Sequence, residues 1–102
     1  MNFCVLKFGG SSLATPELRR LVAQRIIDTA ASGCDPVVVV SAMGRAGDVY
    51  ATDSLIGFIR STNASPDPQN LDLLLSCGEI ISAVVMAETL NQLGCRAQAL
   101  TG

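Results

Sequence analysis

Apolar residues follow two different spacings in the first half of this 102-residue chain. Residues 3–6 and 37–40 are uninterrupted apolar runs, and each predicts a short buried strand, the second one covered on both faces. Between them, apolar residues recur every three or four positions over residues 18–30, which predicts a helix. Thr15 suits the N-terminus of that helix and Gly33 its C-terminal end. The pattern therefore predicts a βαβ unit with two parallel strands.

The second half of the chain carries two further helical patterns and a third strand pattern. Thr52 follows a glycine-containing loop and is expected to cap a short helix. Residues 61–70 contain two prolines and no apolar period, which predicts a loop. Gly78 is expected to interrupt the helical pattern that follows, so that Glu79 begins a second, mostly buried helix. Residues 96–100 predict a third strand, and the order of elements predicts an α/β fold with a parallel sheet.

The composition restricts the classes of function. The chain is 49% hydrophobic and 16% charged with a net charge of −2, so no basic surface for a nucleic acid is expected. Its uninterrupted apolar runs are far shorter than the roughly 20 residues of a membrane-spanning helix. Lys7 interrupts the apolar region that a signal peptide would need. We therefore expect a cytoplasmic protein with neither a nucleic-acid nor a membrane partner.

Residues for metal binding and nucleophilic catalysis are sparse. The chain has no histidine, which excludes a Ser-His or Cys-His pair within it. Its four cysteines lack the C-x-x-C spacing, so a zinc site is not expected. All four have apolar neighbours, and we expect them to be buried free thiols. They are Cys4, Cys34, Cys77 and Cys95.

A lysine, two glycines and two hydroxyl residues follow the first predicted strand. The segment consists of Lys7, Phe8, Gly9, Gly10, Ser11 and Ser12. Glycines permit close approach of the backbone and positive φ angles, successive N–H groups can surround an anion, and lysine adds a positive charge. The segment is neither a Walker loop nor a Rossmann fingerprint. It predicts either a phosphate-binding turn or a tight strand-to-helix turn with an exposed lysine.

Polar residues also follow the other predicted strands. Residues 41–44 follow the second strand and residues 101–102 the third. The carboxyl ends of parallel strands meet at one edge of a sheet, where ligands bind. Ser41 and Glu79 are therefore candidates for contacting a ligand. The alternatives are a serine that ends a strand and an ordinary glutamate in the first turn of a helix.

The chain contains the motifs KFGGSS at residues 7–12, VVSAMG at residues 39–44, Thr52-Asp53 and LLSCGE at residues 74–79. Together these motifs resemble aspartate kinase, a family within the amino-acid kinase superfamily. The resemblance spans essentially the whole chain and implies a three-layer α/β/α sandwich with a mainly parallel sheet. Residues 1–102 would be the N-terminal part of the catalytic domain, without its remainder and without the regulatory ACT domains.

The resemblance implies ATP-dependent phosphorylation of the β-carboxylate of L-aspartate to 4-phospho-L-aspartate, in lysine, threonine and methionine biosynthesis. ATP would enter as its Mg²⁺ complex. Glu79 would face the α-ammonium group of aspartate. The implied site consists of Lys7 as the catalytic residue, Phe8, Gly9, Gly10 and Ser11 beside it at the phosphates, and Ser41, Thr52 and Glu79 at aspartate.

Two other functions stay open from the sequence. Other members of the superfamily phosphorylate glutamate, carbamate or a nucleotide, and a truncated chain of this kind could be a non-catalytic structural or interaction domain. The fragment alone is expected to be inactive, because the family's nucleotide and metal motifs lie further along the chain. Uncovered apolar edges of a thin sheet also predict a homo-oligomer.

Overall fold

The computed structural model describes residues 2–45 and 47–101. Two strands, a short 3₁₀ turn and three α-helices make up this part of the chain. In chain order they are β1 (Phe3–Phe8), the 3₁₀ turn (Gly10–Leu13), α1 (Pro16–Ala31), β2 (Asp35–Val40), α2 (Thr52–Thr62) and α3 (Pro68–Gln92).

The predicted βαβ unit is confirmed. Strands β1 and β2 pair in parallel, with Phe3 opposite Asp35 at one end of the register. Helix α1 begins where predicted, because the Thr15 hydroxyl accepts a hydrogen bond from the backbone N–H of Leu18 at 3.1 Å. The helix ends before Gly33, whose φ of +97° lies in the left-handed region that glycine adopts without a steric penalty.

The sheet has one covered and one uncovered face. Side chains of alternate residues, including Leu6 and Val38, pack on a core formed by α1, α3, Leu13 and Met43. On the opposite face Val37 and Val39 are 47% and 46% exposed, so the prediction that β2 is covered on both faces is wrong for the described residues. The described part of the chain thus supplies the sheet and one helical layer of an α/β fold.

Helix α3 is continuous, and the predicted break at Gly78 is wrong. Its N-terminus is capped by the Asp67 carboxylate, which accepts a hydrogen bond from the N–H of Asn70 at 3.1 Å. Glycine inside a helix costs only about 1 kcal/mol relative to alanine. Burial of Met86 and Leu90 further along the same helix outweighs that cost. Glu79 therefore lies in the middle of a 25-residue helix rather than at its start.

Helix α3 is also long and apolar enough to cross a membrane, by length and composition only. Its most apolar stretch has a mean hydropathy of 1.7 although polar residues interrupt it, so the length of uninterrupted apolar runs does not indicate it. Core helices have the same property, and α3 contributes Met86 and Leu90 to the core.

The predicted third strand over residues 96–100 is wrong, since the described chain has no strand there. The Asn91 side chain forms hydrogen bonds with both backbone groups of Ala97. It donates to the carbonyl oxygen at 3.1 Å and accepts from the N–H at 2.8 Å. Cys95 and Ala97 still pack against the core. The segment thus has the alternating burial of a strand without a strand partner.

The prediction of four buried free thiols is also wrong. Cys4 and Cys34 form a disulfide, with their Cα atoms 6.0 Å apart. The register brings the two cysteines near each other, because Cys4 stands opposite Pro36 and Cys34 lies two positions before that proline. Of the other two, Cys77 is exposed and Cys95 is half-buried.

Candidate functional site

The segments that follow β1 and β2 lie in direct contact. The backbone N–H of Ser41 donates to the carbonyl oxygen of Phe8 at 3.2 Å, which extends the strand pairing by one bond. A Cβ atom added to Gly10 would overlap the carbonyl oxygen of Ala42. Glycine at position 10 is therefore required for the two backbones to approach each other.

The glycine-rich segment forms a compact turn at the end of β1. Gly9 precedes the 3₁₀ turn in an extended conformation, with φ −76° and ψ 166°, and its carbonyl accepts from the N–H of Ser12 at 3.1 Å. Leu13 anchors the end of the turn in the core, where it is fully buried. Neither Gly9 nor Gly10 has a positive φ, so the prediction that these two glycines serve to permit positive φ angles is wrong.

The space beside Gly9 is open. A Cβ atom added to this glycine would meet no atom within 4 Å, and the Ser11 side chain is exposed. Unlike Gly10, Gly9 is not required by a neighbouring segment. The turn therefore presents accessible backbone where the sequence predicts an anion.

Lys7 lies on the uncovered face of the sheet. It is the next-to-last residue of β1, stands opposite Val39 and is exposed. It is also the chain's single lysine. The Phe8 side chain points the other way, into the core, so only the backbone of Phe8 can contact a ligand at this turn.

Ala42 is held between two glycines from different parts of the chain. Gly10 contacts its carbonyl group, and a Cβ atom on Gly78 would lie 3.2 Å from the Ala42 Cβ. This second contact brings the middle of α3, and with it Glu79, beside the segment that follows β2. The Glu79 side chain is exposed, and the favourable helix N-terminus predicted for it is wrong.

Helix α2 is joined to the same segment through Gly44. A Cβ atom on Gly44 would lie 2.5 Å from the Cα atom of Ala51, which is 3% exposed. Ala51, not Thr52, is the N-cap, because its carbonyl accepts the N–H of Leu55 at 3.0 Å. The prediction that Thr52 caps α2 is therefore wrong; Thr52 is the exposed first residue of the helix.

One residue of this region was missed by the sequence analysis. The Arg19 guanidinium donates to the carbonyl oxygen of Leu13 at 2.9 Å and contacts the Met43 sulfur at 3.8 Å. In the sequence, Arg19 is an ordinary polar residue of an amphipathic helix. The helical pattern therefore does not indicate its contacts with Leu13 and Met43.

The charged groups of the region do not form a metal site. Within residues 2–45 and 47–101, no three histidine, cysteine or acidic side chains are grouped so that they could hold an ion. The accessible backbone at Gly9 and the exposed Lys7 instead suit an anion such as a phosphate group.

The fold and this edge of the sheet define an α/β protein with an exposed glycine-rich turn after its first strand. Residues 2–102 match the amino acid kinase family, and the chain belongs to that family. Within it, the chain is similar to aspartokinases along its whole length. It is 48% identical to Aspartokinase 1 of Bacillus subtilis and 43% identical to the aspartokinase of Mycolicibacterium smegmatis, in both cases over 102 residues.

A solved structure agrees with these sequence matches. The crystal structure of aspartate kinase from Synechocystis superposes on 89% of this chain with a TM-score of 0.78 and 38% sequence identity, and the match covers 15% of that chain. The present chain spans about a quarter of the curated relatives, namely 25% and 23% of the two named above.

Proposed function

We propose that this chain is part of an ATP-dependent aspartate kinase. The enzyme would transfer the γ-phosphoryl group of ATP to the β-carboxylate of L-aspartate and form 4-phospho-L-aspartate, for lysine, threonine and methionine synthesis in the cytoplasm. The observation that carries the proposal is the packing of Ala42 between Gly10 and Gly78. It brings the glycine-rich turn, the segment after β2 and the middle of α3 to one place.

The phosphates of ATP would lie at the turn after β1. Backbone N–H groups of Gly9, Gly10 and Ser11 would surround them, and the open space beside Gly9 supports close approach of a ligand. The Lys7 ammonium would neutralise charge on the transferred group, and phosphoryl transfer depends chiefly on such charge stabilisation together with positioning. Mg²⁺ would enter bound to the phosphates, because Mg²⁺ commonly binds through substrate phosphates and retained waters.

Aspartate would bind on the other side of this turn. Ser41, at the end of β2, and Thr52, at the start of α2, offer hydroxyl groups, and Glu79 offers a carboxylate for the α-ammonium group. The β-carboxylate is ionised at neutral pH and needs no general base. A chain without histidine can therefore perform its part of the reaction.

Lys7→Ala in a protein of the relatives' full length tests the proposal. We expect kcat to fall about 100-fold, because a charge that stabilises the transition state is lost. The KM for aspartate should change less than kcat. Arg25→Ala is the control, since it removes an exposed cation from α1. ADP release would be coupled to NADH oxidation, and wild-type turnover with glutamate but not aspartate would overturn the choice of substrate.

The same assay separates the enzyme from a non-catalytic domain. We expect no turnover from the 102 residues alone, because they span about a quarter of the relatives' length. Turnover by the isolated chain at the full-length rate would contradict this expectation. A full-length protein that binds neither ATP-Mg nor aspartate in calorimetric titration would instead support the non-catalytic alternative.

Self-association of the isolated chain is part of the proposal. Phe3 and Val5 are 66% and 70% exposed on the uncovered face of the sheet, beside Val37 and Val39. Such a contiguous apolar surface favours contact with a second copy. Light scattering should give a multiple of the 10.6 kDa monomer mass, and a monomer at high concentration would refute it.

A further inference from the structure

Arg19 connects the two loops of the proposed site from the side of the helical layer. Its guanidinium donates to the carbonyl oxygen of Leu13, the last residue of the 3₁₀ turn, at 2.9 Å. The same nitrogen lies 3.8 Å from the sulfur of Met43, in the segment after β2. Arg19 itself is half-buried and is the fourth residue of α1.

The residues that Arg19 contacts are themselves fixed. Leu13 is fully buried and Met43 is 5% exposed, so both side chains are held by the core. A hydrogen bond from a charged donor is stronger than one between neutral groups. The guanidinium therefore links the end of the 3₁₀ turn to the segment after β2, in addition to the close approach of Gly10 to Ala42.

We propose that Arg19 is a positioning residue of the kinase site. It sets the position of the phosphate-binding turn relative to Ser41, and it does so through Leu13 and Met43 without contacting a substrate. This inference rests on the proposed function. It assigns to the first helix a role that none of the recognised motifs contains.

The test compares three variants in a protein of the relatives' full length. Arg19→Met removes the donor and keeps an unbranched side chain. Arg19→Lys keeps a donor and a charge. Arg20→Met is the matched control, because Arg20 is the adjacent, exposed arginine of the same helix.

In Arg19→Met, we expect the KM for ATP-Mg to rise about tenfold, the effect of losing one hydrogen bond from a charged donor. The kcat at saturating ATP should change by less than about threefold, since Lys7 and its charge are untouched. Arg19→Lys should restore at least half of the loss, expressed as log KM. Arg20→Met should stay within about twofold of wild type, as surface substitutions usually do.

Amide hydrogen exchange of the same proteins supplies a readout that does not depend on turnover. Arg19→Met should accelerate amide exchange in residues 9–13 and 41–44. Exchange in β1 and α1 should stay as in wild type. Unchanged exchange and KM, or equally faster exchange throughout the chain, would overturn the positioning role. Absence of aspartate kinase activity in the wild type would refute the proposed function, while the exchange result would still decide whether Arg19 holds the two loops.

Discussion

The two ends of the parallel sheet are held together by different means. At the end where β1 and β2 begin, the Cys4–Cys34 disulfide joins the strands covalently, and the N–H of Asp35 donates to the carbonyl oxygen of Asn2 at 2.7 Å. At the other end no covalent link joins the described segments. There, the close fit of Gly10 against Ala42 brings the backbones together.

This difference separates stability from ligand binding. The disulfide restricts the unfolded chain, and it lies at the end of the sheet away from the glycine-rich turn. The contacts of Gly10 and Gly78 with Ala42 determine where the proposed ligand groups lie. Changes at the first end should therefore alter the free energy of unfolding, and changes at the second should alter both unfolding and binding.

Reduction of the Cys4–Cys34 disulfide should have the largest effect on stability. The two residues are 30 positions apart, and closing a loop of that length stabilises a protein by about 3.5 kcal/mol in the chain-entropy model. Urea unfolding with and without dithiothreitol measures the difference. Cys4→Ala should abolish the effect of the reductant, whereas Cys77→Ala should leave it intact. An equal midpoint in both buffers would contradict the covalent link.

Gly10→Ala should come next, with a loss of about 3 kcal/mol in the free energy of unfolding, at the upper end of what overpacking costs. The added methyl group would overlap the carbonyl oxygen of Ala42, and backbone has to move to relieve the overlap. Gly9→Ala is the control, because its methyl group would meet open space in an extended conformation. Equal unfolding midpoints for the two variants would contradict the claim that the backbone at Gly10 lies too close to Ala42 to admit a methyl group.

The smallest effect is expected from the glycines inside two helices. Gly57→Ala in α2 should stabilise the protein by about 1 kcal/mol, because alanine is the better helix former and the site is open. Gly78→Ala should gain less, since its methyl group would lie 3.2 Å from the Ala42 Cβ. Chemical denaturation of both variants measures the difference. A gain at Gly78 as large as that at Gly57 would contradict the contact with Ala42.

The sequence predicted those parts of the fold that depend on local signals. The β1–α1–β2 unit follows from apolar spacing and from Thr15 and Gly33, which act within one helix turn of their positions. Gly78 was misread because its cost inside α3 is small beside the burial of residues further along the helix. The predicted third strand does not form, because the backbone N–H and carbonyl groups of Ala97 are hydrogen-bonded to the Asn91 side chain.

The sequence predicted which segments form the candidate site, but it did not predict the contacts that hold those segments together. Motif order pointed to the turn after β1, the segment after β2 and Gly78-Glu79, and these three meet at Ala42. The contacts of Arg19 depend on how α1 packs against two loops, which no local pattern encodes. For the same reason the pairing of Cys4 with Cys34 required the strand register.

The measurement that tests the central claim most directly is the reactivity of Lys7 with and without ATP-Mg. In a protein of the relatives' full length, trinitrobenzenesulfonate would modify exposed lysines, and peptide mass spectrometry would follow Lys7 alone. If Lys7 contacts the phosphates, ATP-Mg should slow its modification about tenfold, because the bound phosphates shield the amino group from the reagent and pair with its charge. An unchanged rate at saturating ATP-Mg would contradict the assignment of the turn after β1 as the phosphate site.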